Sequence, residues 1–157
     1  MILEGESLKN CVPHRGLMAL LTRVVQYDFV RSTLASEVDI KDSDLFFDHD
    51  RKGVPSWVGF EYMAQSIAAL SGIKRRLSLD EEPRIGFIMG VRNFKSRSAV
   101  FASGRRLRVE VRQVFRDGDV ASFECRIEEN GTEEASAIIN AIESGMDPVP
   151  ATGGTNG

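Results

Sequence analysis

Histidine, cysteine and tryptophan are all scarce in this sequence, and each shortage narrows the chemistry open to it. Among 157 residues there are two histidines, two cysteines and one tryptophan. Cys11 and Cys125 follow no metal-ligand spacing, and two thiols alone make no disulfide framework. Both are expected to be reduced and structural. The histidines and acidic residues show no recognisable ligand spacing, so no metal is expected, and no other cofactor. No apolar run approaches the ~20 residues that a membrane-spanning helix needs. The opening "MILEGESLKN" lacks the basic and apolar pattern of a secretory signal. A cytoplasmic protein with no membrane partner is the expectation. Charge of one sign is also missing: 20 Lys and Arg stand against 23 Asp and Glu, a formal net charge of -3. That balance gives no general attraction to nucleic acid or anionic lipid. No internal repeat is present.

What remains is a globular composition, 42% apolar and 27% charged, in a length that suits about one domain. Residues 1–145 are expected to form that domain, and 146–157, "MDPVPATGGTNG", a flexible tail too rich in Pro, Gly and Thr to pack. "LEGESLKNCV" suits a short helix ended by Pro13, because the residue before proline is pushed out of the helical region. "VPHRG" is then a loop. From Leu17 to Val30 the pattern is apolar and β-rich, and Val30, Ser32, Leu34, Ser36, Val38 and Ile40 continue it on one side of a strand. "KDSDLFFDHDRKG" carries seven charged residues and reads as an exposed loop. A helix is predicted from Pro55, whose fixed φ suits a first turn, to about Arg76, where Lys74, Arg75 and Arg76 complement its negative end. It is the only long helix in the pattern.

After Pro83 the pattern is β. In "RIGFIMGVRNFKS", Gly86 and Gly90 suit a strand that bends or is closely approached. Leu107, Val109, Val111 and Phe115 alternate in the next strand; Ala121, Phe123, Cys125 and Ile127 follow, then Ala135, Ala137, Ile139 and Ala141. "RDGD" and "ENGT" between them are hairpin turns, since Asp-Gly and Asn-Gly tolerate positive φ. The inventory is α+β: an antiparallel sheet of five or six strands wrapped around one long central helix, which the hotdog fold fits. Such a sheet has open edges, and pairing two of them across a twofold axis would cover them. A dimer is expected.

In the helix "PSWVGFEYMAQSIAALSG", Glu61 interrupts an almost wholly apolar surface. It suits capping of first-turn amides, where negative charge is favoured by about 0.3–1 kcal/mol. Walled by Trp57, Phe60 and Met63, it equally suits a desolvated carboxyl with a raised pKa, able to give a proton to a leaving group. His14, between Pro13 and Gly16, and His49, between Asp48 and Asp50, are each either a solvated turn residue or a base. A carboxyl facing an imidazole is an acid–base pair suited to eliminating water.

"VPHRGLMALLTRVV" is similar to the "LPHRxPFLLVDRV" opening of the 3-hydroxyacyl-acyl carrier protein dehydratases, and "VPSWVGFEYMAQSIAAL" resembles the "P-x5-E-x-MAQ" start of their central helix. "PSWVGFEYMAQ" and "RIGFIMGVRNF" resemble still more closely the dehydratase-like proteins of aryl-polyene and related lipid clusters. The likeness runs from about Leu8 to Glu143. It implies a hotdog dimer that removes water from a 3-hydroxyacyl thioester to leave a trans-2-enoyl product. The substrate would be carried on acyl carrier protein or coenzyme A, its chain in an apolar tunnel and its phosphopantetheine arm entering at the dimer interface. Glu61 matches the family's helical acid. The family's loop histidine lies in "GHFPGxPxxPG"; here the loop reads "DHDRKGVPS", without "FPG" and two residues shorter between His49 and Pro55. "PHR" is intact, which makes His14 the other candidate. Arg23 also survives from the opening, with Thr22 in place of the family's neighbouring Asp.

The mechanism this implies has His14, or else His49, take the α-proton while Glu61 from across the dimer protonates the departing hydroxyl. Amides from Ser56 to Gly59 would hold the thioester carbonyl, with Ser56 the first available donor because Pro55 has none. Ser56, Trp57, Gly59 and Phe60 are the expected substrate-binding residues. Phe60, Met63, Phe87 and Ile88 suit tunnel lining or core equally, and Arg84, Arg92 and Lys95 suit a phosphate or a solvated basic face. Two other functions are compatible with the sequence. One is a hotdog acyl thioesterase, in which the carboxylate activates water. The other is a non-catalytic subunit completing a heteromeric dehydratase through its sheet edges, which the altered histidine loop favours.

Overall fold

A computed structural model describes residues 2–14, 16–79 and 86–143, and of these the side chains of 78, 79, 86, 87 and 143 are left aside. In chain order the elements are β1 (Leu3–Glu4), α1 (Glu6–Lys9), β2 (Arg23–Asp28), β3 (Thr33–Asp39), β4 (Gly53–Pro55), α2 (Gly59–Lys74), β5 (Gly86–Ser96), β6 (Val100–Ala102), β7 (Arg106–Asp117), β8 (Val120–Glu129) and β9 (Thr132–Glu143). Seven strands make an antiparallel sheet in the order β1-β2-β3-β7-β8-β9-β5, while β4 and β6 pair separately. α2 packs on the inner face of the sheet and is the one long helix among the described residues. The fold is therefore α+β, a sheet around a central helix, with more strands than the five or six expected. The expected tail, 146–157, lies outside the described residues.

The meander β7-β8-β9 follows from alternation and turn chemistry. Leu107, Val109 and Val111 from β7, Phe123, Cys125 and Ile127 from β8, and Ala135, Ala137, Ile139 and Ala141 from β9 are all buried. Gly118 links the first pair of strands at φ 62°, and Asn130 and Gly131 the second at φ 52° and 82°, the left-handed geometry that Asn-Gly provides. Phe115 breaks the expected series. The register slips between Gln113 and Phe115, and past that bulge the ring is turned outward and is 56% exposed. Val30 also differs from expectation: it occupies the turn between β2 and β3 and is 96% exposed, whereas Leu34, Ser36 and Val38 do face the core. The predicted N-terminal helix is confined to Glu6–Lys9, because Leu3 and Glu4 pair with Val24 and Arg23 instead.

α2 is buried on most of its circumference, with Met63 and Ile73 fully enclosed. Each such side chain contributes about 1.5–3 kcal/mol relative to exposure. Its entrance is built from β4. Gly53 lies so close to β6 that no side chain fits there, Ser56 N–H donates to the Ala99 carbonyl at 2.8 Å, and a 3₁₀ turn over Ser56–Val58 leads into the helix. Inside, Ser66 Oγ donates to the Tyr62 carbonyl and shares a hydrogen bond of 2.8 Å with Ser36 Oγ, joining α2 to β3 with both serines fully buried.

The outer face of the sheet carries alternating charge. Arg108 and Arg126 both hold Glu110, and Arg112 holds Glu124 at 3.1 Å. On the neighbouring strands Arg23 reaches Glu37 at 2.8 Å and Asp39 at 2.7 Å, and Arg106 reaches Asp39 at 2.7 Å. Arg23 thus finds its carboxylates across the strand pair, while Thr22 Oγ1 accepts the Asp39 N–H.

Candidate functional site

The start of α2 gathers most of the expected site. Pro55 ends β4 with φ -54° and ψ 136°, Val54 and Val58 are fully buried beside it, and the chain between them has a fixed direction. Trp57 is turned outward, 53% exposed, with Phe46 edge-on at 5.7 Å and Phe60 stacked at 6.5 Å between ring centroids. These three rings form an apolar wall at the mouth of the helix. Glu61 follows in the first turn, half-buried, and none of the described residues forms an ion pair or hydrogen bond with its carboxyl. Desolvation by burial alone raises its pKa above that of an ordinary glutamate. A carboxyl in such a place holds its proton to higher pH and can donate it.

The backbone donors are fewer than expected. Ser56 N–H is committed to the Ala99 carbonyl, so it is not the first free donor. The amides at the Gly59 cap turn back onto the carbonyls of Ser56 and Trp57. A Cβ at Gly59 would lie 2.9 Å from Ile127 Cδ1, so this glycine lets the helix seat on β8 and contributes close packing. Trp57, second in the 3₁₀ turn, supplies the N–H that the helical pattern does not consume.

The histidines fall in different surroundings. His49 is exposed, in a turn where Asp48 Oδ1 accepts the N–H groups of Asp50 and Arg51, and its ring lies edge-on to Phe47 at 5.0 Å. His14 is half-buried, with Nδ1 shielded from solvent. Its loop continues through Gly16, at φ 62°, into a 3₁₀ turn over Gly16–Met18. That turn is held by a residue the sequence analysis did not single out. Gln65, one helical turn after Glu61 and 2% exposed, donates from Nε2 to the Met18 carbonyl at 2.7 Å and accepts the Leu20 N–H on Oε1 at 2.9 Å. The available signal was a large amide on an otherwise apolar helix, four residues after the acid. The segment that follows "PHRG" is thus joined through Gln65 to the "MAQ" run of the helix.

A cleft of about 210 Å³ lies between α1, this loop and Gln65, lined by Leu8, Val12, Ala19 and Leu21 among others. A wider groove of about 650 Å³ runs over the charged outer face, past Glu110, Arg112, Glu124 and Arg126, away from Glu61. Of the residues that suited tunnel lining or core, Met63 is core, Ile88 is 40% exposed, and the Phe87 side chain lies outside the described set. Arg92 and Lys95 are exposed on β5, and Arg84 lies outside the described residues. Among the described residues no group of His, Cys, Asp or Glu could hold a metal, and no helix is long and apolar enough to cross a membrane.

The family model for ApeP-like proteins, described as ApeP dehydratase, matches residues 6–149. The chain is 28% identical over 145 residues to a protein of Brucella ovis described as 3-hydroxyacyl-[acyl-carrier-protein] dehydratase FabZ, covering 90% of this chain and 89% of that one. It is 28% identical over 142 residues to the FabZ of Bartonella henselae, covering 89% of each. Among solved structures it is similar to a chain of the dehydratase heterocomplex ApeI:P from Xenorhabdus doucetiae, with a TM-score of 0.82 and 22% identity over 96% of this chain and 97% of that one. The sheet and the enclosed helix agree with these likenesses: the chain has the hotdog fold and belongs to the ApeP-like family of dehydratases.

Proposed function

We propose that this dehydratase removes water from a 3-hydroxyacyl thioester borne by acyl carrier protein, leaving a trans-2-enoyl thioester, in fatty-acid-like or aryl-polyene biosynthesis in the cytoplasm. The observation that carries the reading is Glu61: a half-buried carboxyl with a raised pKa and, among the described residues, no cation beside it, at the mouth of an aromatic-walled helix start. His14 takes the α-proton, which the thioester makes acidic. The electron pair of that C–H bond forms the new double bond, the C3–O bond breaks, and Glu61 gives its proton to the departing hydroxyl, which leaves as water. The imidazolium and the carboxylate then exchange a proton through solvent to restore the starting state. Each group is worth on the order of 10²–10⁴-fold. Trp57 N–H is the donor we assign to the thioester carbonyl, where charge develops. Glu61 acts from across the dimer on the substrate whose α-proton His14 removes.

The assembly reading rests on β5, which ends the sheet with Ile88 and Met89 40% and 57% exposed. A second copy, or a related subunit as in the heterocomplex ApeI:P, would pair along that edge. Mass spectrometry on a panel of 3-hydroxyacyl carrier-protein and coenzyme A thioesters tests the function. Water loss by the purified chain is expected. Turnover that arises only after a second dehydratase subunit is added would make this chain the partner subunit instead. Release of free thiol from thioesters lacking a 3-hydroxyl would make it a thioesterase.

A further inference from the structure

On the outer face of the meander, charge alternates in sign both along and across the strands. β7 presents Arg108, Glu110 and Arg112, and β8 presents Glu128, Arg126 and Glu124 in register beside them. Every cation in the group has an anion next to it across the strand pair. Arg126 holds Glu110, and Arg112 holds Glu124 at 3.1 Å. Next in the same row comes Phe115, opposite Ser122 and turned out of the core by the bulge. The ring is not alone there. Val114 is exposed in the bulge, and Val120 and Ile142, half-buried, pair with each other on β8 and β9, on the same side of the sheet as Ser122. One uncovered face thus joins a charge checkerboard to an apolar patch, and such a patch marks a contact surface.

The pattern is complementary to itself. A twofold axis parallel to the strands, midway between β7 and β8, exchanges the two strands and leaves each residue at its own height. Arg108 then meets Glu128 of the second copy, Glu110 meets Arg126 and Arg112 meets Glu124, while the two Phe115 rings come together beside the axis. An axis running across the strands would instead set Glu110 on Glu110 and Arg108 on Arg112. On the flanking strands Thr33 and Ala35 would face Ile138 and Ser136, with no charge opposed. Glu37 and Glu133 would meet at one end, where Arg23 already holds Glu37 at 2.8 Å. Stacked sheets keep their strands within about 30° of one another, which a parallel axis satisfies. Six strands about 4.8 Å apart, each some seven residues of about 3.3 Å, make a face of roughly 700 Å², close to the ~800 Å² per partner of a stable interface. Spread over that area, the groove of about 650 Å³ is a depression about 1 Å deep, which long Arg side chains would fill.

We propose that this face receives the same face of a second copy of the chain about that axis. Phe115 supplies the apolar contact. The alternating charges fix the register and reject surfaces of another pattern. The edge of β5 stays open, so this contact would join two β5-paired particles back to back, and it is independent of the chemistry assigned to Glu61 and His14.

Sedimentation velocity on the full chain tests this. Arg126→Glu opposes Glu110 with a like charge both within the chain and across the contact, so association should weaken at least ~10-fold and the particle fall to half its mass. Glu110→Arg combined with Arg126→Glu gives β7 three cations and β8 three anions, which is again complementary about the same axis, and the wild-type mass should return. Phe115→Ser should also halve the particle while leaving every charge in place. A wild-type chain that is monomeric would overturn the inference. So would wild-type mass in either single variant, or a double variant that stays dissociated. The mass left in the dissociated variants reports on β5 separately: two chains where pairing along that edge holds, one where it does not.

Discussion

Gly53 and Phe101 approach so closely across the β4–β6 pair that a Cβ on residue 53 would stand 2.4 Å from the Phe101 carbonyl oxygen and 2.5 Å from Val100 Cγ1. Backbone cannot yield as the end of a side chain can. Gly53→Ala should therefore cost about 1–3 kcal/mol in chemical denaturation. Because this pair sets the direction in which the chain enters α2, kcat should fall as well, and an unchanged denaturation midpoint would show that the two strands separate freely.

Glu61→Gln should reduce turnover at least ~100-fold while the far-ultraviolet circular dichroism stays native, the low end of what removing a general acid costs. The wild-type pH profile carries its own check. A donor must be protonated, so kcat should fall as pH rises through the raised pKa of Glu61. The stability sign agrees: burial disfavours the ionised form, so Glu61's contribution is fully present below the unfolded-state pKa and is lost as pH rises through the folded one. Melting of Glu61→Gln should lack that decline. Equal pH dependence of melting in both proteins would contradict the desolvated carboxyl.

His14→Ala should lose about 100-fold or more in kcat, the share of a general base, whereas His49→Ala should keep wild-type turnover because its ring is exposed on Phe47. Steady-state rates on the same thioester distinguish them. Co-expression of a His14→Ala chain with a Glu61→Gln chain should restore part of the activity, because one site of the mixed dimer keeps both groups. No recovery would put the pair in one chain.

Asp39 gives a second, opposite pH dependence. Its hydrogen bonds to Arg106 and Arg23 hold its pKa down at about 2. That stabilisation is present above the unfolded value of 3.8 and disappears as pH falls toward 2. Melting between pH 5 and pH 2 should show a destabilisation that Asp39→Asn lacks, and at pH 7 the variant should be weaker by ~1–2 kcal/mol, after allowance for solvent screening. A variant as stable as the parent at neutral pH would mean that the charge pairs at Arg23 are energetically silent.

Local pattern and long-range contact were unequally legible in the sequence. The meander could be read because alternation and Asn-Gly or Asp-Gly turns act within a few residues, and α2 could be read from its apolar length and flanking Pro55 and Lys74. The β4–β6 pair could not, since Val54 meets Phe101 only through the folded chain and three residues carry no period. Phe115 obeyed the alternation on paper, but a bulge that no composition marks turned it outward. At the site, Glu61 was conspicuous as a charge among apolar neighbours. Gln65 was not, because an uncharged amide announces neither its donor nor its acceptor, and its partners are 45 and 47 residues away. Ser56 appeared to be an available amide for the same reason: the acceptor that takes it, Ala99, belongs to another element.

The alternating signs on the back of the sheet bear on how a charged macromolecule would meet this one. Arg108, Arg112 and Arg126 each already grip a carboxylate on the same or the adjoining strand. Their fields cancel over distances shorter than the ~8 Å screening length of physiological salt. A polyanion approaching that broad surface would feel neither pull nor push.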